Sequence, residues 1–90
     1  MIINKMVMAG SLESNDALIT LGPPKGEGIE LTVESIVEKQ FGDKIRKNIR
    51  EVLADFDITN AYIRVQDKGA LDCTLKARME TAILRSKGEE

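Results

Sequence analysis

The hydrophobic pattern changes period in mid-chain, and that change restricts the fold more than any composition figure does. Ile29, Leu31 and Val33 alternate with Glu30 and Thr32, a period of two that makes a strand with one apolar face. Further on, Phe41, Ile45, Ile49, Val52, Leu53 and Phe56 recur at spacings of three and four, the stripe of an amphipathic helix. Between them, Ser35-Ile36-Val37-Glu38 reads as a capping box, in which the serine hydroxyl and the glutamate carboxylate satisfy orphan backbone donors at a helix start. Ala61, Ile63 and Val65 then alternate with Tyr62, Arg64 and Gln66, returning the chain to a strand. If both strands share a sheet, the helix between them makes a right-handed crossover and the strands run parallel.

Two further strands precede this unit. Met6 to Leu12 is small or apolar, with Gly10 marking a bulge or a close backbone approach. Asp16 to Leu21 sets Ala17, Ile19 and Leu21 against Leu18 and Thr20, so the two runs form a hairpin whose connection is Glu13 to Asn15. Gly22-Pro23-Pro24-Lys25-Gly26-Glu27-Gly28 stops the second strand, because proline lacks the ladder donor; it is expected to be a flexible hairpin loop. Its glycines match neither dinucleotide nor P-loop spacing. After Asp67-Lys68-Gly69, the residues Leu71, Leu75, Met79, Ala82 and Ile83 predict a last helix to about Ser86, with Lys87 to Glu90 as a polar tail. Gly42-Asp43 is either a tolerated weak point in the first helix or a break capped by Asp43, and Lys47 and Glu51 are spaced to pair on its wet side.

The expected architecture is therefore α+β: a two-layer sandwich in β-β-β-α-β-α order, a mixed four-stranded sheet with two helices packed on one face. Residues 1–90 form one domain, with room for one modest core but none for a deep cleft.

Composition excludes several kinds of chemistry. There is no histidine, so the usual general base near neutral pH and the commonest transition-metal ligand are both missing. A self-contained hydrolase does not fit. Cys73 is the only cysteine, which rules out a disulfide framework, a thiolate metal cluster and a Cys-x-x-Cys pair, and suits a reducing compartment. Thirteen basic against fifteen acidic residues, with only Phe41, Phe56 and Tyr62 aromatic, give neither the charge nor the stacking platforms that nucleic-acid binding uses. No apolar run reaches membrane-spanning length and no leader is apparent, so the chain reads as soluble and cytoplasmic, with neither nucleic acid nor membrane as partner.

The stretch Gly10-Ser11-Leu12-Glu13-Ser14-Asn15-Asp16 places a serine at the tip of a polar turn. Alone it is a turn serine, since Ser, Asn and Asp fill turns by bonding nearby backbone. Together, however, Ala9 to Asp16, Val37-Glu38-Lys39-Gln40-Phe41-Gly42-Asp43 and Asp67-Lys68-Gly69-Ala70-Leu71-Asp72-Cys73 resemble the acyl carrier subunit, or gamma chain, of bacterial citrate lyase over nearly the whole length. The resemblance implies covalent attachment of 2'-(5''-phosphoribosyl)-3'-dephospho-CoA to Ser14 through a phosphodiester. It also implies a non-catalytic subunit working with an alpha acyltransferase and a beta lyase, and loaded by a prosthetic-group transferase. The bound group would carry acetyl and citryl thioesters during cleavage of citrate to acetate and oxaloacetate. A chain without histidine or cleft can serve catalysis in this way, because the cofactor carries the chemistry and the tether raises its local concentration.

Other features have plainer readings. Glu34-Ser35-Ile36 is similar to the modified site of conventional acyl carrier proteins, but three preceding strands contradict their all-helical bundle, and Ser35 has its capping role. Cys73, near a helix start, is expected to pack as a small apolar residue. Arg46, Lys47 and Arg50 make a solvated helix face or a contact for phosphates or an acidic partner. The Asp67–Asp72 turn has no assigned role, and Glu13, Asn15 and Asp16 either shape their turn or are read by the modifying enzyme. Two alternatives stand beside the citrate lyase reading: an unmodified protein-interaction module, and the carrier of a related acyl-swapping lyase or decarboxylase.

Overall fold

Strict alternation sends every second side chain of the central strands into the core. In the computed structural model, which describes residues 1–36 and 38–88, the elements are β1 (Val7–Gly10), β2 (Ala17–Gly22), β3 (Ile29–Ser35), α1 (Glu38–Asp55), β4 (Ala61–Asp67) and α2 (Asp72–Ser86). Ala17, Ile19 and Leu21 of β2 and Ala61, Ile63 and Val65 of β4 are all fully buried. Their register stacks Ile19 on Val65 and Leu21 on Ile63, with Ala9 of β1 and Val33 of β3 extending the row that runs through Ile19 and Val65. Ile45, Ile49, Val52 and Leu53 of α1 and Leu75, Met79, Ala82 and Ile83 of α2 close this face. Helix α1 packs on β3, α2 on β1 and β2, and the helices on each other, which is the expected two-layer α+β arrangement. Ile3 and Ile58, outside the regular elements, are also buried in the core.

The sheet order is β1-β2-β4-β3, with β1–β2 and β2–β4 antiparallel and β3–β4 parallel. The parallel β3-α1-β4 unit and the β1–β2 hairpin are as expected. The loop at Gly22–Gly28 is not: β2 and β3 are not paired, because β4 lies between them. Burial supplies the reason. Along β4 every inward position is buried, Asp67 included, whereas Ile29 and Leu31 of β3 stay partly exposed, so the strand with the more complete apolar face takes the centre. Asn60 fastens the far end of the loop, its Oδ1 accepting the Gly28 N–H at 2.7 Å while the Ala61 N–H donates to Gly28 O at 3.2 Å.

Helix α1 runs unbroken through Gly42, which is buried within it. Its core stripe is shorter than the spacing predicts: Phe41 is 48% exposed and Phe56 only partly buried. Phe41 lies in the first turn of α1, where a surface groove rather than a strand faces it. Leu71 likewise leaves the stripe of α2; it is the N-cap and 70% exposed. Cys73 is exposed instead of packed. Two residues of helix rotate about 200°, so Cys73 points away from the Leu75–Met79–Ile83 stripe. Glu51 pairs with Lys76 of α2 at 3.3 Å, in place of the Lys47 that its spacing allows. The capping box extends to Val37 and the Glu38 side chain, which lie outside the described residues, as do residues 89–90 of the tail. No helix among the described residues is long and apolar enough to cross a membrane.

Candidate functional site

Three connections meet at one end of the sheet. Register puts Ala17 and Ser35 on either side of Asp67, so the 11–16 turn, the end of β3 and the β4–α2 turn are neighbours, and both helices start there. Gly10 opens the first turn at φ +96°, where a Cβ would stand 1.8 Å from Ala17 O and 3.2 Å from Arg78 Cδ. The expected close backbone approach is thus real, and only glycine permits it. Ser11 N–H crosses the turn to donate to Ala17 O at 3.2 Å.

Beyond Gly10 the turn is held from several sides. Ser11 Oγ donates to Asp16 Oδ2 at 2.7 Å and accepts the Glu13 N–H at 3.3 Å. Asp16 N–H donates to Glu13 O at 3.2 Å, closing a turn that passes through Asn15 at φ +65°. Asparagine is one of the few residues with a side chain that accept this left-handed conformation. Asn15 N–H then donates to Lys68 O at 2.8 Å and Lys68 N–H to Asp16 O at 2.9 Å, stitching the turn to the β4–α2 connection. Gly69, at φ +94°, faces Asn15 across this seam.

Asp16 anchors the turn to α2. Arg78 grips its carboxylate with Nε at 2.9 Å and Nη2 at 3.1 Å, and the Ala17 N–H adds a bond of 2.7 Å. The Arg78 guanidinium, helped by Ser11 and Ala17 and opposed by desolvation, holds the Asp16 carboxyl well below the usual carboxylate range. The arginine's own pKa is raised by the same contact. Asp16 therefore shapes the turn. Arg78 carried no signal in the sequence, because its partner is 62 residues away and only the fold brings the two together.

Ser14 is the part of this assembly left out of the clamp. Its side chain is exposed, and its hydroxyl takes part in none of the hydrogen bonds of the turn. The chain contains no histidine that could act on this hydroxyl as a general base. No metal-binding cluster occurs among the described residues.

Ser35, at the end of β3, donates through Oγ to Asp67 Oδ2 at 2.8 Å, while the Ala70 N–H donates to Asp67 Oδ1 at 2.9 Å. The buried Asp67 thus ties β3 to the β4–α2 turn, and that is the structural content of the Asp67–Asp72 motif. On its far side lies a groove of about 540 Å³ lined in part by Phe41, Lys44, Ile45, Leu71, Cys73 and Leu75. Lys47 and Arg50 stand exposed on α1.

Comparison with known proteins gives one family. The family model described as "ACP: Malonate decarboxylase delta subunit (MdcD)" matches residues 4–86. The chain is 49% identical over 88 residues to the citrate lyase acyl carrier protein of Latilactobacillus sakei subsp. sakei, covering 98% of this chain and 86% of that one. The Streptococcus equi subsp. zooepidemicus citrate lyase acyl carrier protein matches with the same identity and coverage. Citrate lyase acyl carrier protein 1 of Salmonella paratyphi A is 46% identical over 86 residues, covering 96% of this chain and 88% of the relative. Among solved structures, a chain of a Pseudomonas malonate decarboxylase hetero-tetramer in complex with malonate superposes with a TM-score of 0.79 at 19% identity, over 96% of this chain and 88% of that chain, a likeness of fold. By its near full-length identity to these relatives and its match to the family model, this chain belongs to the citrate lyase acyl carrier protein family and is an acyl carrier.

Proposed function

We propose that this chain is the non-catalytic acyl carrier subunit of a citrate lyase, bearing 2'-(5''-phosphoribosyl)-3'-dephospho-CoA on Ser14 through a phosphodiester. The observation that carries the reading is the exposed, unbonded hydroxyl of Ser14 at the tip of a turn clamped by Gly10, Ser11, Asp16, Lys68 and Arg78. When bound, the group supplies a terminal thiol for the acyl groups exchanged as citrate is cleaved to acetate and oxaloacetate. The chain's own residues do mechanical work. The Asp16–Arg78 pair and the Asn15–Lys68 bonds fix the root of the arm, and the exposed tip leaves Ser14 open to the prosthetic-group transferase and the arm free to reach an acyltransferase and a lyase. Holding the thioester on the complex raises its local concentration at both active sites. The place of action is the cytoplasm.

A second reading, the carrier of an acyl-swapping decarboxylase, draws on the description of the family model. The acyl group found on the protein separates the two. The test is the intact mass of the subunit from citrate-grown cells containing active lyase, with fragmentation to locate the adduct, alongside a Ser14→Ala subunit. The expected result is one adduct of the prosthetic group on Ser14, and a variant that folds normally but supports no citrate cleavage. An unmodified subunit from an active complex, or full turnover with the variant, overturns the proposal.

A further inference from the structure

The groove beside the Ser14 turn exposes apolar surface that the core does not use. Phe41 is 48% exposed and Leu71 is 70% exposed, although both sit where helical periodicity would have buried them. They rim the groove of about 540 Å³ whose wall runs along the Asp67–Cys73 segment. That volume is within the roughly 300–1,000 Å³ of small-molecule sites. Its wall is continuous with the attachment turn, because Asn15 N–H bonds Lys68 O at 2.8 Å and Gly69, which lines the groove, faces the Asn15 side chain. Lys44, ion-paired with Asp72 at 3.2 Å but 60% exposed, stands at the rim as a cation.

We infer that this groove is the resting place of the arm carried by Ser14, taking its alkyl and amide portion against Phe41, Leu71 and Leu75, with Lys44 facing its anionic portion. The inference rests on the attachment to Ser14 proposed above. A tethered arm needs little intrinsic affinity to dock. At an effective concentration of about 1 mM, a groove that binds the free arm at about 0.1 mM is filled about nine-tenths of the time. Partners then draw the arm out by offering a tighter site, and between visits the groove limits how much of the arm is open to solvent.

Cys73 makes the test direct, because its thiol is exposed and lines the groove. The rate of alkylation of Cys73 by iodoacetamide is measured by peptide mass in the unmodified chain and in the holo-protein whose arm thiol is acetylated. Fragmentation of the same samples locates the adduct. With the arm on Ser14, alkylation of Cys73 is expected to slow about tenfold, the factor that follows from nine-tenths occupancy. In Leu71→Glu, whose exposed side chain is dispensable to the core, the protection is expected to vanish with the fold unchanged by circular dichroism. Equal rates with and without an arm shown to be on Ser14 overturn the groove but leave the attachment standing, as does protection undiminished in Leu71→Glu. An adduct found on another residue overturns the attachment and the groove together.

Discussion

Replacing Gly10 by alanine isolates the cost of the close approach that roots the Ser14 turn. Gly10, Gly28 and Gly69 have positive φ of +96°, +86° and +94°, so a Cβ at any of them meets similar backbone strain. That strain is about 1–3 kcal/mol. Their surroundings differ. At Gly28 an added Cβ meets nothing within 4 Å, and at Gly69 it meets Asn15 Oδ1 at an ordinary 3.7 Å. At Gly10 it lies 1.8 Å from Ala17 O, so the carbonyl must retreat by more than 1 Å to reach the 3.0 Å that Cβ contacts respect. Such a shift breaks the Ser11 N–H to Ala17 O bond and loosens Arg78, whose Cδ is 3.2 Å from the same point. One hydrogen bond is worth about 1 kcal/mol, and leaving its groups poorly partnered adds about as much again. Gly10→Ala is therefore expected to cost about 3–5 kcal/mol against about 1–3 kcal/mol for Gly28→Ala. A difference of about 2 kcal/mol lowers the melting temperature by roughly 8–16 °C in a domain of this size. Urea unfolding of the three variants by circular dichroism, fitted with a common slope, measures the difference. Gly69→Ala should rank with Gly28→Ala. If Gly10→Ala falls within about 0.5 kcal/mol of Gly28→Ala, the contact with Ala17 does not constrain the turn and the steric reasoning is wrong.

Two further substitutions probe the root and the core. The Asp16 carboxyl is held below its ordinary range in the fold, so its contribution to stability is present above the unfolded pKa and lost as pH falls through the depressed folded value. The stability gap between wild type and Asp16→Asn is expected to be constant near neutrality and to shrink below about pH 4, as read by urea midpoints; a gap independent of pH contradicts the pairing with Arg78. Asn48 is buried and its Nδ2 has no hydrogen-bond partner among the described residues, so Asn48→Leu is expected to raise stability by about 1–2 kcal/mol in the same assay, and a loss would mean that the amide is satisfied in solution.

The local pattern was enough to settle which face of β2 and of β4 is buried. Alternation at Ala17–Leu21 and Ala61–Val65 leaves one apolar side, and shifting the register by one residue would expose all of it. The same logic placed Ile45 to Leu53 and Leu75 to Ile83 on the inner stripes of their helices, and the resemblance across the Gly10–Asp16, Val37–Asp43 and Asp67–Cys73 stretches directed attention to Ser14. Tertiary structure decided what depends on residues far apart in the chain. Placing β4 between β2 and β3 is a competition among strands for the centre, decided by total burial and invisible in the Gly22–Gly28 loop itself. The grip of Arg78 on Asp16 spans 62 residues, and neither residue's neighbours announce it. Phe41 and Leu71 fit a helical period yet remain exposed, because periodicity gives the direction of a side chain while burial requires something opposite to cover it. That Ser14 lies in a turn between two strands was legible in the chain; the clamp that holds that turn and the groove beside it exist only where distant segments meet.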